Sequence, residues 1–216
     1  MTVAQLRDHP DYELWLELKH HEIMPFVQAE FSRQSSLLRA YLCFNLFLLL
    51  GMAALMGWQV YHGQVALGKA LQCWALGMVA VLTILIPVHE GIHGLAYKLV
   101  GAPRVRYGAD LSKFIFYAMA DHFVVASRHF YIVAMAPFVV LGIFALLPIF
   151  YVSLNYQWFC WGVFLMHTGA CAGDFAMLSF YWRHRDEDLR SYDDVEQGVS
   201  FFFRRKRPQQ EQALQP

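Results

Sequence analysis

Pro87-Val88-His89-Glu90-Gly91-Ile92-His93-Gly94 sets a His-Glu-x-x-His pattern inside the most apolar part of the chain. Reading outward, Leu71 to Tyr97 is almost unbroken apolar sequence. At about 1.5 Å per residue it is long enough, as a helix, to cross about 30 Å of hydrocarbon. Two imidazoles and a carboxylate in that setting are costly unless they hold something. On a helix His89 and His93 lie four positions apart and share a face, so both rings reach one point while Glu90 stands beside it. The spacing is that of a zinc-binding helix, with His89 and His93 as metal ligands and Glu90 free to take a proton from a water at the ion. The rival reading makes the two histidines interior residues hydrogen-bonded between helices.

Composition sets the class. Apolar residues are 57% of the chain and charged residues 16%, which is well to the apolar side of an ordinary soluble domain. Four stretches are long enough to span a bilayer: Ala40 to Tyr61, Leu71 to Tyr97, Phe130 to Val152 and Trp158 to Trp182. The expected architecture is an all-α membrane protein, one bundle of about four transmembrane helices over 40–182. A cytoplasmic amino-terminal segment (1–39) and a basic, partly disordered cytoplasmic tail (183–216) flank it. The first span starts behind a polar, charged segment and is read as a permanent anchor rather than a cleaved signal.

Cys43, Cys73, Cys160 and Cys171 fall within the predicted spans without paired spacing, so they read as packing residues. Formal net charge is zero; there is no global basic field, and no nucleic-acid partner is expected. Lys and Arg instead crowd three segments: the amino terminus (Arg7, Lys19, Arg33, Arg39), the loop after the second span (Lys98, Arg104, Arg106, Lys113, Arg128) and the tail (Arg183, Arg185, Arg190, Arg204 to Arg207). The other two loops hold only Lys69. By the positive-inside rule both termini and the middle loop are cytoplasmic, as an even number of spans requires.

A metal centre needs a third ligand at the depth of the histidines. His93 and His89 lie five and nine residues before Lys98, about 7 to 14 Å deep at helical rise, and Asp174 lies nine residues before Arg183, about 13 Å deep. Asp174 is therefore the expected third ligand. Two histidines, one carboxylate and an open position make a catalytic rather than a structural set. The competing reading pairs Asp174 with Arg183 or Arg185 at a helix end. Gly169 and Gly173 form a small-xxx-small pair expected to let the fourth span approach its neighbour closely.

The order His89-Glu90-Gly91-Ile92-His93-Gly94, Ala136-Pro137 and Gly173-Asp174 across successive spans resembles the bacterial membrane proteins grouped as zincin peptidases, themselves similar to the site-2 protease group of intramembrane zinc metalloproteases. The resemblance covers roughly Leu71 to Trp182. It implies a zinc-dependent metalloendopeptidase of a bacterial cytoplasmic membrane, cleaving a membrane or membrane-associated protein near the cytoplasmic face. His89, His93 and Asp174 would be the Zn2+ ligands and Glu90 the base. The chain departs from the site-2 pattern in that Gly-Asp-Phe replaces the usual Asp-Gly setting and no asparagine stands nearby. His167, seven positions before Asp174 and on about the same face, is the nearest polar substitute. It is a candidate to contact the substrate carbonyl or orient a ligand, or else an interhelical hydrogen-bonding residue.

Between Gly101 and Arg128, short β-prone runs about a turn at Gly108 to Ser112 predict a small hairpin. Such a hairpin could pair with an extended peptide, or its aromatics could simply sit in the membrane interface. Asp110, Asp121 and His122 in this loop are left out of the site. Asp11 to Phe31 reads as a helix lying on the membrane surface, with Leu14, Trp15 and Leu18 apolar and His20-His21-Glu22 on a solvated face. Phe201-Phe202-Phe203 before Arg204-Arg205-Lys206-Arg207 reads as a tail held to anionic lipid, or as an ordinary basic flank that enforces topology. Two other classes stay open. One is a non-proteolytic membrane metal-binding or scaffold protein that keeps the motif, against which an intact Glu90 argues; the other is a solute-handling transporter subunit.

Overall fold

The computed structural model describes residues 1–110 and 115–206. Among these the chain is mostly helical, with two small antiparallel sheets. The helices are α1 (Val3–Arg7), α2 (Ile23–Ser32), α3 (Ser36–Tyr61), α4 (Leu67–Ala80), α5 (Ile86–Leu99), α6 (Ser127–Leu146), α7 (Leu154–Ala170) and α8 (Ala172–Arg183). The strands are β1 (Tyr12–Lys19), β2 (Arg106–Asp110), β3 (Ile115–Met119), β4 (Val125–Ala126), β5 (Arg190–Asp194) and β6 (Val199–Arg205).

Three helical stretches are long and apolar enough to cross a membrane: Ser36–Tyr61, Leu67–Leu99 and Ser127–Phe150. A fourth is reached if α7 and α8, bent by 43° at Cys171, count as one span. Their outward faces leave large apolar side chains such as Phe47, Phe144 and Leu99 exposed, as a lipid-facing surface does. The second stretch is continuous from α4 into α5 through one wide π-type turn over Val81–Leu85. Pro87 lies just beyond it, at the start of α5. Proline brings no N–H and its ring crowds the preceding turn; widening that turn lets the span continue without a break.

α4 and α7 meet backbone to backbone. A Cβ on Gly77 would collide with the Phe159 carbonyl, and one on Gly162 with the Trp74 carbonyl. This closest approach is not where the small-residue pattern placed it: Cβ atoms on Gly169 and Gly173 would meet open space. Gly169 lies at the end of α7 and Gly173 at the start of α8, on either side of the 43° bend at Cys171, so the two do not form one stripe on a continuous helix.

The two polar ends form strands where helix and lipid-bound tail were expected. β1, β6, β5 and β4 make one antiparallel sheet in that order, with Leu18 opposite Ser200 and Leu16 opposite Phe202. The all-α expectation is corrected accordingly. Tyr12-Glu13-Leu14-Trp15-Leu16-Glu17-Leu18-Lys19 alternates with period two, which suits a strand once a partner exists. The helical reading of Asp11 to Phe31 holds only from Ile23 onward. Phe201, Phe202 and Phe203 are buried rather than lipid-facing. Phe202 packs with Leu18, Phe180 and Tyr181, and Phe201 and Phe203 with Leu6, Tyr12 and Tyr192. Residues 207–216, the rest of the expected tail, lie outside the described residues, as do 111 and 112 of the expected turn. The hairpin itself is present as β2 paired with β3.

α2 is tied to the end of α8 by the buried Glu30, which accepts from Arg183 at 2.6 Å and from Arg33 at 2.8 Å. Arg183, one of the two arginines expected as possible partners for Asp174, is therefore engaged elsewhere. Within the sheet, Asp193 of β5 sits half-buried opposite Ser200 and accepts from its hydroxyl at 2.6 Å. Burial pushes its carboxyl up to about 6, with the Asp121 carboxylate adding to the rise and the Ser200 hydroxyl opposing it.

Two outcomes follow for stability. Gly162→Ala should cost about 3 kcal/mol, at the upper end for overpacking because the obstructing atom is backbone, whereas Gly169→Ala should leave the melting temperature in detergent unchanged or slightly raised. Because Asp193 is raised above its unfolded value, its contribution is present at acid pH and lost as pH rises through about 6. Asp193→Asn should remove that loss, gaining no more than about 2 kcal/mol at pH 8 and nothing at pH 4, as read from melting temperature against pH.

Candidate metal centre

α5 carries His89 and His93 on successive turns, with Glu90 next to His89, and the first turn of α8 carries Asp174. The break at Cys171 is what makes Asp174 a first-turn residue. A carboxylate there faces the positive end of the α8 dipole. Both histidines are buried and Asp174 half-buried. His89 Nε2 and His93 Nε2 are 3.0 Å apart. Asp174 Oδ1 lies 3.1 Å from His93 Nε2, and Asp174 Oδ2 lies 3.2 Å from His89 Nε2. The structure thus brings together the three residues that sequence reasoning chose as ligands.

The orientation of His93 is set by a neighbour on α6. A helix residue normally donates its N–H to the carbonyl four residues earlier. Pro137, inside α6, has no N–H to give to Val133. That carbonyl instead accepts from His93 Nδ1 at 3.0 Å. A carbonyl only accepts, so Nδ1 carries the proton and Nε2 of the neutral ring presents its lone pair. The sequence signal for this role is the carbonyl that an intrahelical proline frees four residues earlier.

These atoms fit a metal. A neutral His93 aims a lone pair at a carboxylate oxygen and at a second imidazole nitrogen, an arrangement that needs a cation or an added proton between them. Asp174 Oδ2 is buried with no hydrogen-bond partner of good geometry. The triangle with edges of 3.0 to 3.2 Å is close to the spacing of about 3.3 Å between ligands of tetrahedral zinc with bonds of about 2.0 to 2.1 Å. His89, His93 and Asp174 would hold the ion and leave one position open.

Glu90 lines the same cavity of about 530 Å³ as the three candidate ligands, and the Ala118 backbone N–H on β3 donates to its carboxylate. The hairpin therefore forms a wall of the site, with Phe116, Tyr117 and Ala118 facing the cavity. Tyr107 of β2 packs over Gly94, just after the motif, where a Cβ would fall on its hydroxyl. Ile23, Met24 and Val27 of α2 also line it, on a helix tied to α8 by the Glu30 to Arg183 pair.

His167 is fully buried and lies with its ring 5.6 Å from that of His89. Its Nε2 donates to the Pro137 carbonyl at 3.1 Å, so its hydrogen bond goes to the protein itself. Asp121 and His122 are drawn away from the centre. They pair with each other at 3.0 Å, and Asp121 also takes Arg106 at 2.9 Å.

A family model described as "putative zincin peptidase" matches residues 82–189, half of the chain, which includes the motif, the hairpin, Pro137, His167 and Asp174. No curated protein and no solved structure matches.

Pro137→Ala restores an N–H that competes with His93 for the Val133 carbonyl. It should weaken metal affinity about 10- to 100-fold, the range for losing an orienting partner of a ligating histidine, with the melting temperature of the metal-free protein not lowered. Competition with a chromophoric chelator reads the affinity.

Proposed function

The chain belongs to the putative zincin peptidase family, and on that premise we propose that it is a membrane-embedded zinc metalloendopeptidase, cleaving a membrane or membrane-associated protein near the cytoplasmic face. The observation that carries the reading is the convergence of His89, His93 and Asp174 within 3.2 Å of one another, beside a carboxylate in a cavity flanked by long apolar helices. A zinc ion held there supplies Lewis-acid polarisation of a carbonyl and a water acidic near neutral pH. Glu90 takes the water proton on its carboxylate and passes it to the leaving amine. The Ala118 N–H keeps that carboxylate aimed into the cavity. His93 is held in the ligating tautomer by Val133, and β3 offers an extended wall along which a peptide lies.

The sheet supports the topology. β1 and β6 are hydrogen-bonded, so the two polar ends lie on one side. β4, at the end of the loop after the second span, pairs with β5 and joins them there. An even number of crossings follows, which counts α7 and α8 as a single bent span. It also gathers the Lys- and Arg-rich segments on one side, as expected for the cytoplasmic face.

The test uses the full chain in detergent with fluorescently labelled casein as a general substrate and elemental analysis for metal. Wild type should hold about one zinc per chain, and His93→Ala and Asp174→Ala should lose it. Glu90→Gln should keep zinc and lose about 10²- to 10⁴-fold in turnover, the span of general-base effects. Hydrolysis undiminished in Glu90→Gln would refute the assigned role.

A further inference from the structure

His167 and Cys171 repeat on α7 the spacing that His89 and His93 have on α5. They are four positions apart, so they share a face, and Cys171 stands at the bend where α7 passes into α8. Both are completely buried or nearly so, at 1% and 0% exposure. Cys171 Sγ is 3.8 Å from His167 Nε2. One ring nitrogen of His89, one of His167 and the Cys171 sulfur all lie within 4.8 Å of one another. Ligands of tetrahedral zinc, with Zn–S of about 2.3 Å and Zn–N of about 2.0 to 2.1 Å, stand about 3.3 to 3.6 Å apart. His167 Nε2, the nitrogen beside Cys171, holds the proton that it gives to the Pro137 carbonyl; moving that proton to Nδ1 and turning the ring away from Pro137 frees the lone pair and completes a three-ligand set.

We propose that His89, His167 and Cys171 form a second metal-binding set, selective for thiophilic cations such as Cd2+ or Cu+, which competes with the His89, His93 and Asp174 set and inhibits the enzyme. The inference rests on the reading above only in taking His89 as a ligand of the first set. A thiolate with two imidazoles favours soft ions, whereas two imidazoles with a carboxylate favour zinc and harder ions. Binding releases the Cys171 thiol proton to solvent, since the thiolate is the ligand. His89 is common to both sets. An ion on the second set therefore draws His89 away from His93 and Asp174 and disables the centre without touching Glu90. Burial keeps Cys171 from exchange with bulk thiols and leaves a bare cation from the shared cavity as the agent that reaches it, since His89 and His167 both line that cavity.

The probe is Cd2+ alone, titrated into the full chain in detergent, with the thiolate-to-cadmium band in the near ultraviolet as readout. Wild type and Asp174→Ala should both develop the band, and Cys171→Ser should not, while Cys171→Ser keeps its zinc and its melting temperature. A band that survives Cys171→Ser would belong to Cys43, Cys73 or Cys160 and would overturn the proposal. So would cadmium bound by wild type without the band. Zinc content of the untreated protein separates the two readings. The band without any zinc sustains the second set while removing the peptidase centre. Zinc bound normally without the band removes the second set alone.

Discussion

Everything at the centre depends on one constraint: two imidazoles and a carboxylate are held within 3.2 Å in an apolar bundle. None of these groups is satisfied by its own helix. His93 finds its hydrogen bond on α6, through a carbonyl that Pro137 leaves free, and Asp174 lies within 3.2 Å of the two imidazoles on α5. Burying such groups unpaired would cost several kcal/mol each. The bundle geometry and the polar cluster therefore determine one another.

The surrounding elements serve that geometry. Gly77 and Gly162 bring α4 and α7 into backbone contact, which fixes the two spans that continue into α5 and α8, the carriers of the candidate ligands. The π-type turn before Pro87 keeps α4 and α5 one continuous span. The bend at Cys171 places Asp174 in the first turn of a new helix. Outside the bundle, the sheet of β1, β6, β5 and β4 draws both polar ends and the middle loop onto one side. The β2 and β3 hairpin hangs from that region over Glu90.

Some of this was legible along the chain. The period and spacing of His89, Glu90 and His93 needed only a helix to converge, and the apolar runs needed only a length. Matching depth was enough to point to Asp174. The role of Pro137 was readable in principle from the missing N–H, but which donor would reach the freed Val133 carbonyl was not. Where reading failed, the cause was a partner distant in sequence. Tyr12 to Lys19 alternates like a strand, yet the same residues also fit an amphipathic helix, and only pairing with Val199–Arg205 decides between them. Phe201 to Phe203 look equally suited to lipid and to a core, because burial depends on what covers them.

The sequence by itself determined the pairing of two imidazoles and a carboxylate on one helix, the apolar spans and the gathering of basic residues in three segments, because each is a property of local composition or of spacing within one helix. Only the tertiary structure decided which glycines let helices touch, which carbonyl orients His93, that Arg183 pairs with Glu30 rather than Asp174, and that the two ends close into one sheet. Those are contacts between segments up to nearly two hundred residues apart. Their energy depends on mutual position, which no local pattern encodes.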